Sequence, residues 1–301
     1  MKKMFLIFIL IIIIPYIIVT LFIKENTQKF YFIKDVNVRI KRNNNVVEVP
    51  LEEYIIGVVS AEMPASFEKE ALKAQSVAAR SYVLTKMDQN KNLEYDVLDT
   101  VSHQVYLNDE ELKNKWQDKY DEYSLKVKEA VLETKGEVLV YEGKIIEAFF
   151  FSTSSGLTEN CEEVFMEALP YLRSVDSHYD EISPVYNSNI SISLNDFYTS
   201  LDLPYDDNLN IEIVSTTSTG RIKKIKINGT IFTGNQITSK LKLKSTFFNI
   251  EKNGNEININ TKGYGHGVGM SQYGANGMAK EGYKYDDILK HYYSGVEIIK
   301  I

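Results

Sequence analysis

The segment LEEYIIGVVSAEMP, residues 51–64, decides the fold of this chain and is organised around one carboxylate, Glu62. Pro50 fixes the backbone angle ahead of the segment, and the acidic side chains that follow suit the positive end of a helix. Pro64 cannot continue a helix, because it lacks an amide hydrogen. The pattern therefore predicts a helix that begins at Leu51 and ends beside Glu62.

One face of this predicted helix is apolar along most of its length and ends in the charged residue Glu62. Four residues at spacings of four, three and four share the face: Leu51, Ile55, Val58 and Glu62. Burial and the negative end of the helix dipole would both raise the pKa of Glu62. A carboxylic acid that stays protonated near neutral pH can serve as a general acid. The alternative is a structural glutamate paired with an arginine, and the spacing leaves both open.

A second helix is predicted from Phe67 to Gln89. One of its faces consists mostly of alanines and also includes Gln75 and Tyr82. Small side chains let another backbone approach closely, so this helix is predicted to pack at the centre of the molecule. Arg80 lies about 140° around the helix from Gln75, so the two side chains could flank one site without pointing at the same spot.

The N-terminus predicts the cellular compartment. Lys2 and Lys3 precede an uncharged run of twenty residues, Met4–Ile23, which is long enough to span a hydrocarbon core of about 30 Å. The run is longer than the apolar region of a signal peptide and lacks small residues at its end, so an uncleaved anchor is predicted. The lysines place the N-terminus in the cytoplasm and the remaining chain outside it.

The exported part of the chain is acidic. Without Lys2 and Lys3 it carries 32 basic and 41 acidic side chains, a formal charge of −9. This charge argues against nucleic acid as a partner, because binding phosphates requires a basic surface. Cys161 is the single cysteine, so an internal disulfide and a four-cysteine zinc site are both excluded.

The chain as a whole predicts an α+β fold, in which an N-terminal transmembrane helix precedes an extracytoplasmic body. The body comprises a helix-rich catalytic core and a smaller β-rich lobe. The predicted boundaries are 1–23 for the anchor with its short cytoplasmic N-terminus, 24–34 for a linker, 35–182 for the first part of the core, 183–260 for the lobe and 261–301 for the second part of the core.

Turn signals and periodicity predict the elements within these parts. The core elements are a hairpin of Val36–Lys41 with Val46–Val49, a helix Trp116–Thr134 and a hairpin of Glu137–Tyr141 with Lys144–Phe151. The lobe elements are a helix from Ser193 to Leu201, strands Ile211–Ser215, Ile222–Ile227 and Thr230–Phe232, a helix Asn235–Leu241, and a hairpin of Phe247–Ile250 with Glu256–Asn260.

Two polar loops are candidate ligand sites. The run STSSG, residues 152–156, follows a buried strand, and it could bind a ligand or be an ordinary turn. It lacks the pattern and the partners of a serine nucleophile. The run GYGHGVGMSQYGA, residues 263–275, has four glycines at alternate positions, which leave His266 in open backbone with room for a ligand. Its spacing is not that of a phosphate-binding loop, and a purely structural histidine is the alternative.

Three motifs in this order resemble the stage II sporulation protein D family. They are VSAEMP at 59–64, ALKAQSVAARSY at 71–82 and GHGVGMSQYGA at 265–275, and the Ser152–Gly156 loop fits as well. The matching blocks span about Pro50 to Ile301. The resemblance implies a membrane-anchored lytic transglycosylase that cuts peptidoglycan glycan strands during engulfment of the forespore.

The resemblance also implies roles for individual residues and partners. Glu62 corresponds to the catalytic acid and base of the family, and five further residues are implied to contact the substrate: Gln75, Arg80, Ser154, His266 and Gln272. The implied partners are a sporulation amidase, which strips stem peptides, and a small membrane scaffold protein. The body would face the septal wall from the mother cell membrane. With one cysteine and four histidines in the chain, we expect neither a metal nor another cofactor.

One carboxylate suffices for such an enzyme, because the C6 hydroxyl of the sugar replaces water as the nucleophile. Glu62 would first act as acid and then as base. Domains of this kind also occur in proteins that stimulate a cell-wall amidase, so a scaffold without catalytic activity is the alternative function. A third hypothesis is a metal-dependent amidase that uses His266 and His103, but the sequence offers no closely spaced pair of ligands for it.

Overall fold

The computed structural model describes residues 36–43, 45–100 and 102–301. The predicted anchor Met4–Ile23 and the linker lie outside these residues. Within the described ranges, no helix is long and apolar enough to cross a membrane. These residues form several helices and small sheets in a mixed arrangement, which confirms the α+β part of the predicted fold.

A small sheet leads into the segment that carries Glu62. Strand β1 (Asn37–Arg42) pairs antiparallel with β2 (Asn45–Pro50), as predicted, and parallel with β3 (Val97–Leu98). Helix α1 (Leu51–Glu62) follows β2 directly. Met63 is extended, because it precedes a proline, and the helix therefore ends where the sequence predicts.

Three further helices build the first half of the core. Helix α2 (Lys69–Gln89) matches the prediction closely, and its alanine face is fully buried. Helices α3 (Asp109–Trp116) and α4 (Tyr120–Glu133) follow β3. The single helix predicted from residue 116 to 134 is wrong at its start, because Gln117 adopts a φ of 49° and a 3₁₀ turn separates α3 from α4.

The second predicted hairpin is shorter than expected. Strands β4 (Glu137–Tyr141) and β5 (Lys144–Ile145) pair across a two-residue turn, but the chain then leaves this sheet. Strand β6 (Phe150–Phe151) instead pairs in parallel with β13 (Met270–Ser271). A short helix, α5 (Cys161–Val164), comes next.

Residues 187–262 form two more three-stranded sheets around a second hydrophobic cluster. Their elements are β7 (Asn187–Ser193), α6 (Leu194–Ser200), β8 (Ile211–Thr216), β9 (Ile222–Ile227), β10 (Thr230–Thr233), α7 (Gly234–Leu241), β11 (Phe248–Asn253) and β12 (Glu256–Lys262). The strand orders are β10-β9-β8 and β11-β12-β7. The sequence predicts most of these elements but not β7, in which only two of the seven residues are apolar. The division into core and lobe stays a prediction.

The C-terminal part packs against the first hydrophobic cluster, which contains the buried apolar residues of α1, α2 and α4. Helices α8 (Gln272–Lys280) and α9 (Tyr285–Tyr292) both pack against α2, which also contacts α1 and α4. Strand β14 (Glu297–Lys300) completes the sheet β14-β4-β5. Helix α2 is thus the central helix, as its alanines predict.

Candidate active site

A cleft of about 620 Å³ lies where the end of α1, helix α2, strand β6 and the glycine-rich segment, residues 263–275, meet. It contains one carboxylic acid and many aromatic rings. Its lining residues are Glu62, Tyr82, Ser102, His103, Phe149, Phe150, Phe151, Ser152, Phe165, Tyr264, Gly265, His266 and Gln272. Of the six residues predicted from the sequence, three are here: Glu62, His266 and Gln272.

Glu62 is the last residue of α1, and most of its surroundings are protein. Burial raises the pKa of its carboxyl group, which favours the protonated form. The main-chain amide of Val105 donates a hydrogen bond of 2.8 Å to Oε1 and, together with the charge of Lys115, lowers the pKa by a smaller amount. The sequence left open an arginine partner, and the structure instead gives Glu62 an amide and a neighbouring lysine.

Lys115 holds the end of the helix that carries Glu62. From α3, its ammonium group donates hydrogen bonds to the carbonyl oxygens of Ser60, at 2.8 Å, and Ala61, at 3.2 Å. Partial burial lowers the pKa of Lys115, and the nearby charge of Glu62 opposes this shift. A cation at a helix C-terminus compensates the negative end of the dipole. Lys115 therefore counteracts the effect of the helix dipole on Glu62.

His266 lines the cleft, but the protein already uses both of its ring nitrogens. Nδ1 accepts a hydrogen bond of 3.1 Å from the amide of Val268, so the neutral ring carries its proton on Nε2 and donates it to the carbonyl oxygen of Phe150, also at 3.1 Å. Burial lowers the pKa of His266 to about 4. The ring also packs against Phe151 and Phe165, with centroids 5.5 Å apart in each case. This geometry fits a neutral histidine that shapes the cleft wall rather than one that donates to a ligand.

The two predicted glutamines have different environments. Gln272 begins α8 and lines the cleft, and its Nε2 is buried without a hydrogen-bond partner among the described residues. Gln75 is fully buried within α2, and within the same described part neither of its side-chain polar atoms has a partner. A buried polar group without a partner costs about 1–3 kcal/mol. Only Gln272 can offer its donor directly to a molecule in the cleft.

Ser154 lies behind the cleft, in a buried polar network. Its hydroxyl group donates to Oδ2 of Asp180 at 2.8 Å, and its amide donates to Oδ1 at 3.0 Å. Ser177 and Ser271 also donate to this carboxylate. Because its hydroxyl hydrogen is engaged, the predicted substrate contact of Ser154 is not supported by this arrangement. Ser152, two residues earlier, is the serine of this loop that lines the cleft.

Arg80 also lies outside the cleft. Its guanidinium group forms a two-point ion pair with Glu52 of α1, at 3.0 and 2.7 Å, and donates to the carbonyl oxygen of Glu137 at 3.0 Å. The side chain of Arg80 is fully buried. These contacts join α1, α2 and the start of β4, and this arrangement does not support the predicted substrate contact of Arg80.

Two exposed aromatic residues at the cleft were not among the sequence candidates. Phe165 is 37% exposed and Tyr264 is 48% exposed, and both line the cleft. Flat apolar rings of this kind can stack on the faces of sugar rings. Tyr264 stands between Gly263 and Gly265, and this position in the glycine-rich segment could have indicated an exposed ring from the sequence. Phe165 follows α5 and has no comparable signal.

The third hypothesis from the sequence, a metal-dependent amidase, relies on His103 and His266. His103 lines the cleft, and its Nδ1 accepts from the amide of Leu98 at 3.0 Å. Within residues 36–43, 45–100 and 102–301, no group of three or more His, Cys, Asp or Glu residues could hold a metal ion. Cys161 is buried and free.

Comparison with known proteins identifies the family. Residues 40–141 match the sequence model described as stage II sporulation protein. The chain is 44% identical to "Stage II sporulation protein D" of Bacillus subtilis (strain 168), over 85% of this chain and 76% of that protein. It is 45% identical to the protein of the same name from Bacillus amyloliquefaciens, with the same two coverages. It is also 31% identical to "Amidase enhancer" of Bacillus subtilis, over 80% of this chain and 40% of that protein. The chain therefore belongs to the stage II sporulation protein D family.

Proposed function

We propose that this protein is a lytic transglycosylase that cleaves the bond between N-acetylmuramic acid and N-acetylglucosamine in peptide-free glycan strands. The observation that carries the proposal is one carboxyl group, Glu62, with a raised pKa in an aromatic cleft. Among the described residues that line this cleft, it is the only carboxylic acid. Glycosidases that use water generally need two carboxylates, about 5–5.5 Å or 6.5–9.5 Å apart.

The proposed reaction uses Glu62 twice. Protonated Glu62 first donates its proton to the glycosidic oxygen, and the bond from C1 of N-acetylmuramic acid to that oxygen breaks. The acetamide group of the sugar stabilises the positive charge that develops at C1. The C6 hydroxyl oxygen then bonds to C1 while Glu62, now a carboxylate, accepts the hydroxyl proton. The products are a 1,6-anhydro end and a free C4 hydroxyl group, and no water is consumed.

The other residues of the cleft would position the sugars. Nε2 of Gln272, which has no hydrogen-bond partner among the described residues, can donate to an acetamide oxygen. Phe165 and Tyr264 offer stacking surfaces, and His266 keeps Phe165 and the carbonyl group of Phe150 in place. In this proposal Gln75, Arg80 and Ser154 support the walls of the cleft without touching the substrate.

The family membership supports the biological setting of the proposal. The relatives are named for sporulation, so the proposed substrate is the wall of the sporulation septum. The predicted anchor Met4–Ile23 would hold the body outside the mother cell membrane. An amidase that removes stem peptides and a small membrane scaffold protein are the proposed partners.

A second function has a specific observation in its favour. The relative from Bacillus subtilis named "Amidase enhancer" suggests that a protein of this kind can act through an amidase. Under this alternative the protein would be a scaffold that stimulates the amidase, and Glu62 would be a structural acid. An enzyme could also stimulate its partner, so the decisive question is whether bond cleavage depends on Glu62.

Mass spectrometry of the products from peptide-free glycan strands tests the proposal. The full-length protein should release fragments with 1,6-anhydro ends. Glu62→Gln should reduce the rate by at least about a hundredfold, because general acid catalysis contributes about 10²–10⁴. Glu53→Gln, an exposed position on the same helix, is the matched control and should remain active.

Each other outcome has a different meaning. Fragments with reducing ends would indicate hydrolysis and would require a second carboxylate. If neither wild type nor Glu62→Gln cleaves strands, while both stimulate the amidase equally, the scaffold function replaces the enzyme.

A further inference from the structure

A second recess lies on the outer face of the sheet β11-β12-β7. Its volume is about 590 Å³, similar to that of the cleft. Amides, hydroxyl groups, two phenylalanines and one cation line it, and none of the described residues in this lining is a carboxylate. The residues that matter below are Asn189, Asn249, Asn260, Phe247 and Lys262. The mechanism proposed above uses none of them.

Three asparagines form a row across this recess. The strand register places Asn249 beside Asn260 and Asn260 beside Asn189. Nδ2 of Asn189 donates a hydrogen bond of 2.6 Å to Oδ1 of Asn260. This bond fixes both amide planes, and among the described residues Oδ1 of Asn189 and Nδ2 of Asn260 have no other hydrogen-bond partner. An acceptor and a donor side by side complement the N–H and C=O groups of an acetamide.

The remaining lining adds an apolar surface and a positive charge. Phe247, the residue before β11, is partly buried and lines the recess. The ammonium group of Lys262 lies 4.7 Å from the centre of the Tyr186 ring. With no carboxylate in the lining, Lys262 is a cation that an anionic group of a ligand can reach. Acetamide, pyranose face and carboxylate occur together in N-acetylmuramic acid without its stem peptide.

The recess and the cleft are neighbours along the chain. Lys262, the last residue of β12, lines the recess, and Tyr264 lines the cleft. They are two positions apart, so their Cα atoms are separated by no more than about 7 Å. Gly263, between them, donates to the carbonyl oxygen of Tyr186 and so fixes this crossing point. The linings of the recess and the cleft are therefore adjacent at this point of the chain.

We propose that this recess is a second glycan subsite, which binds N-acetylated sugars of the same strand away from the bond that is cleaved. The Asn189–Asn260 pair holds an acetamide group, and Lys262 holds a carboxylate of the strand. The subsite rests on the proposed function, because it presumes that a glycan strand occupies the cleft. It would favour long, peptide-free strands over short fragments.

Binding measurements on the full-length protein with Glu62→Gln, which prevents turnover, test the subsite. Adding Asn189→Ala and Asn260→Ala should weaken the binding of long peptide-free strands about tenfold, as expected for the loss of one or two hydrogen bonds. Binding of a disaccharide that fills only the cleft should not change. The control pair Ser191→Ala and Asn258→Ala lies one row along the same sheet face, outside the recess, and should bind long strands normally.

Lys262→Gln tests the charge separately. It should weaken the binding of strands that contain N-acetylmuramic acid but not that of neutral N-acetylglucosamine oligomers. If the asparagine variants bind long strands as tightly as their parent, the recess is only a solvated sheet face and the subsite is refuted, whatever the cleavage assay shows. If no protein binds any glycan, the subsite and the proposed function both fail. If binding depends on the recess but wild type does not cleave strands, the subsite stands and the lytic activity fails.

Discussion

At the scale of single residues, the proposed chemistry depends on how the protein balances the ionisation of Glu62. Burial raises the pKa of this group, whereas the amide of Val105 and the cation of Lys115 lower it. A general acid needs a pKa near the working pH, since it must hold its proton and still release it. A group that must also act as a base needs the same compromise. Lys115 is therefore a positioning residue for Glu62.

Replacing Lys115 with methionine should shift the pH dependence of activity. Without the cation, the pKa of Glu62 rises further, so the fraction of protonated acid persists to higher pH. The alkaline limb of the pH–rate profile should therefore move to higher pH, and the maximal rate should fall because the last turn of α1 loses two hydrogen bonds. Lys113→Met, on the same helix but paired with Asp109, should leave the profile unchanged. If the alkaline limb of the Lys115→Met profile lies at the same pH as in wild type, this role of Lys115 is contradicted.

His266 should make stability depend on pH. Its pKa is about 4 in the folded protein and about 6.5 when unfolded, so between these values the unfolded chain binds a proton that the folded protein does not. Stability is therefore lost as the pH falls from 6.5 through 4. Between pH 7 and pH 5 this group should account for about 2 kcal/mol of lost unfolding free energy.

Urea unfolding of wild type and His266→Gln at both pH values measures this contribution. Glutamine can accept and donate as the neutral ring does but does not titrate, so the variant should lose less stability at pH 5. An equal loss in both proteins would show that His266 does not remain neutral in the fold.

At the scale of elements, the glycine-rich segment shows why a loop can require glycine. Gly267 has a φ of 89°, and a Cβ atom there would lie 2.8 Å from Glu159 Cγ and 2.9 Å from the guanidinium carbon of Arg221. The segment therefore passes directly over the buried side chains of Glu159 and Arg221, and His266 is the residue before Gly267. Its conformation thus places the histidine at the cleft wall.

Gly267→Ala should destabilise the protein more than Gly254→Ala. Both positions have positive φ, but a Cβ at Gly254 meets nothing within 4 Å, so that variant suffers only the backbone strain of about 1–2 kcal/mol. Gly267→Ala adds the steric conflict and should exceed this cost by roughly 1–3 kcal/mol. Thermal or urea unfolding compares the two. Equal destabilisation would mean that Glu159 and Arg221 move aside without cost.

At the scale of the whole molecule, a buried ion pair joins the second hydrophobic cluster to the glycine-rich segment. Nε of Arg221, just before β9, lies 3.2 Å from Oε1 of Glu159, and both side chains are almost fully buried. Arg221 also donates to the carbonyl oxygen of Gly265 at 2.8 Å, and the amide of Glu159 donates to that of Gly267 at 2.7 Å. Both partners therefore anchor the segment that carries His266.

Arg221→Met should lower the unfolding free energy by about 3–5 kcal/mol, because it leaves the carboxylate of Glu159 buried without its partner. The double variant Arg221→Met with Glu159→Leu should recover much of this loss. Lys223→Met, an exposed neighbour on β9, should be close to neutral. Urea unfolding compares wild type with these three variants. If Arg221→Met is as stable as wild type, the ion pair is dispensable.

The sequence by itself determined the features that depend on neighbouring residues. The prolines and the apolar spacing defined α1 and placed Glu62 at its end, the alanines marked α2 as the central helix, and the motifs identified the family. These signals succeed because turn stereochemistry and helix periodicity act over a few residues. The alternate glycines marked His266 as a residue in open backbone, and the family resemblance named Gln272; both line the cleft.

Only the tertiary structure decided which side chains meet across the fold. It assigned Arg80 to Glu52 and Ser154 to Asp180, and it bound both nitrogens of His266 to the main chain. It also brought Lys115 to the end of α1, although 53 positions separate it from Glu62. No local pattern encodes such contacts, because the free energy of a buried polar group depends on the partners that packing brings to it from distant parts of the chain.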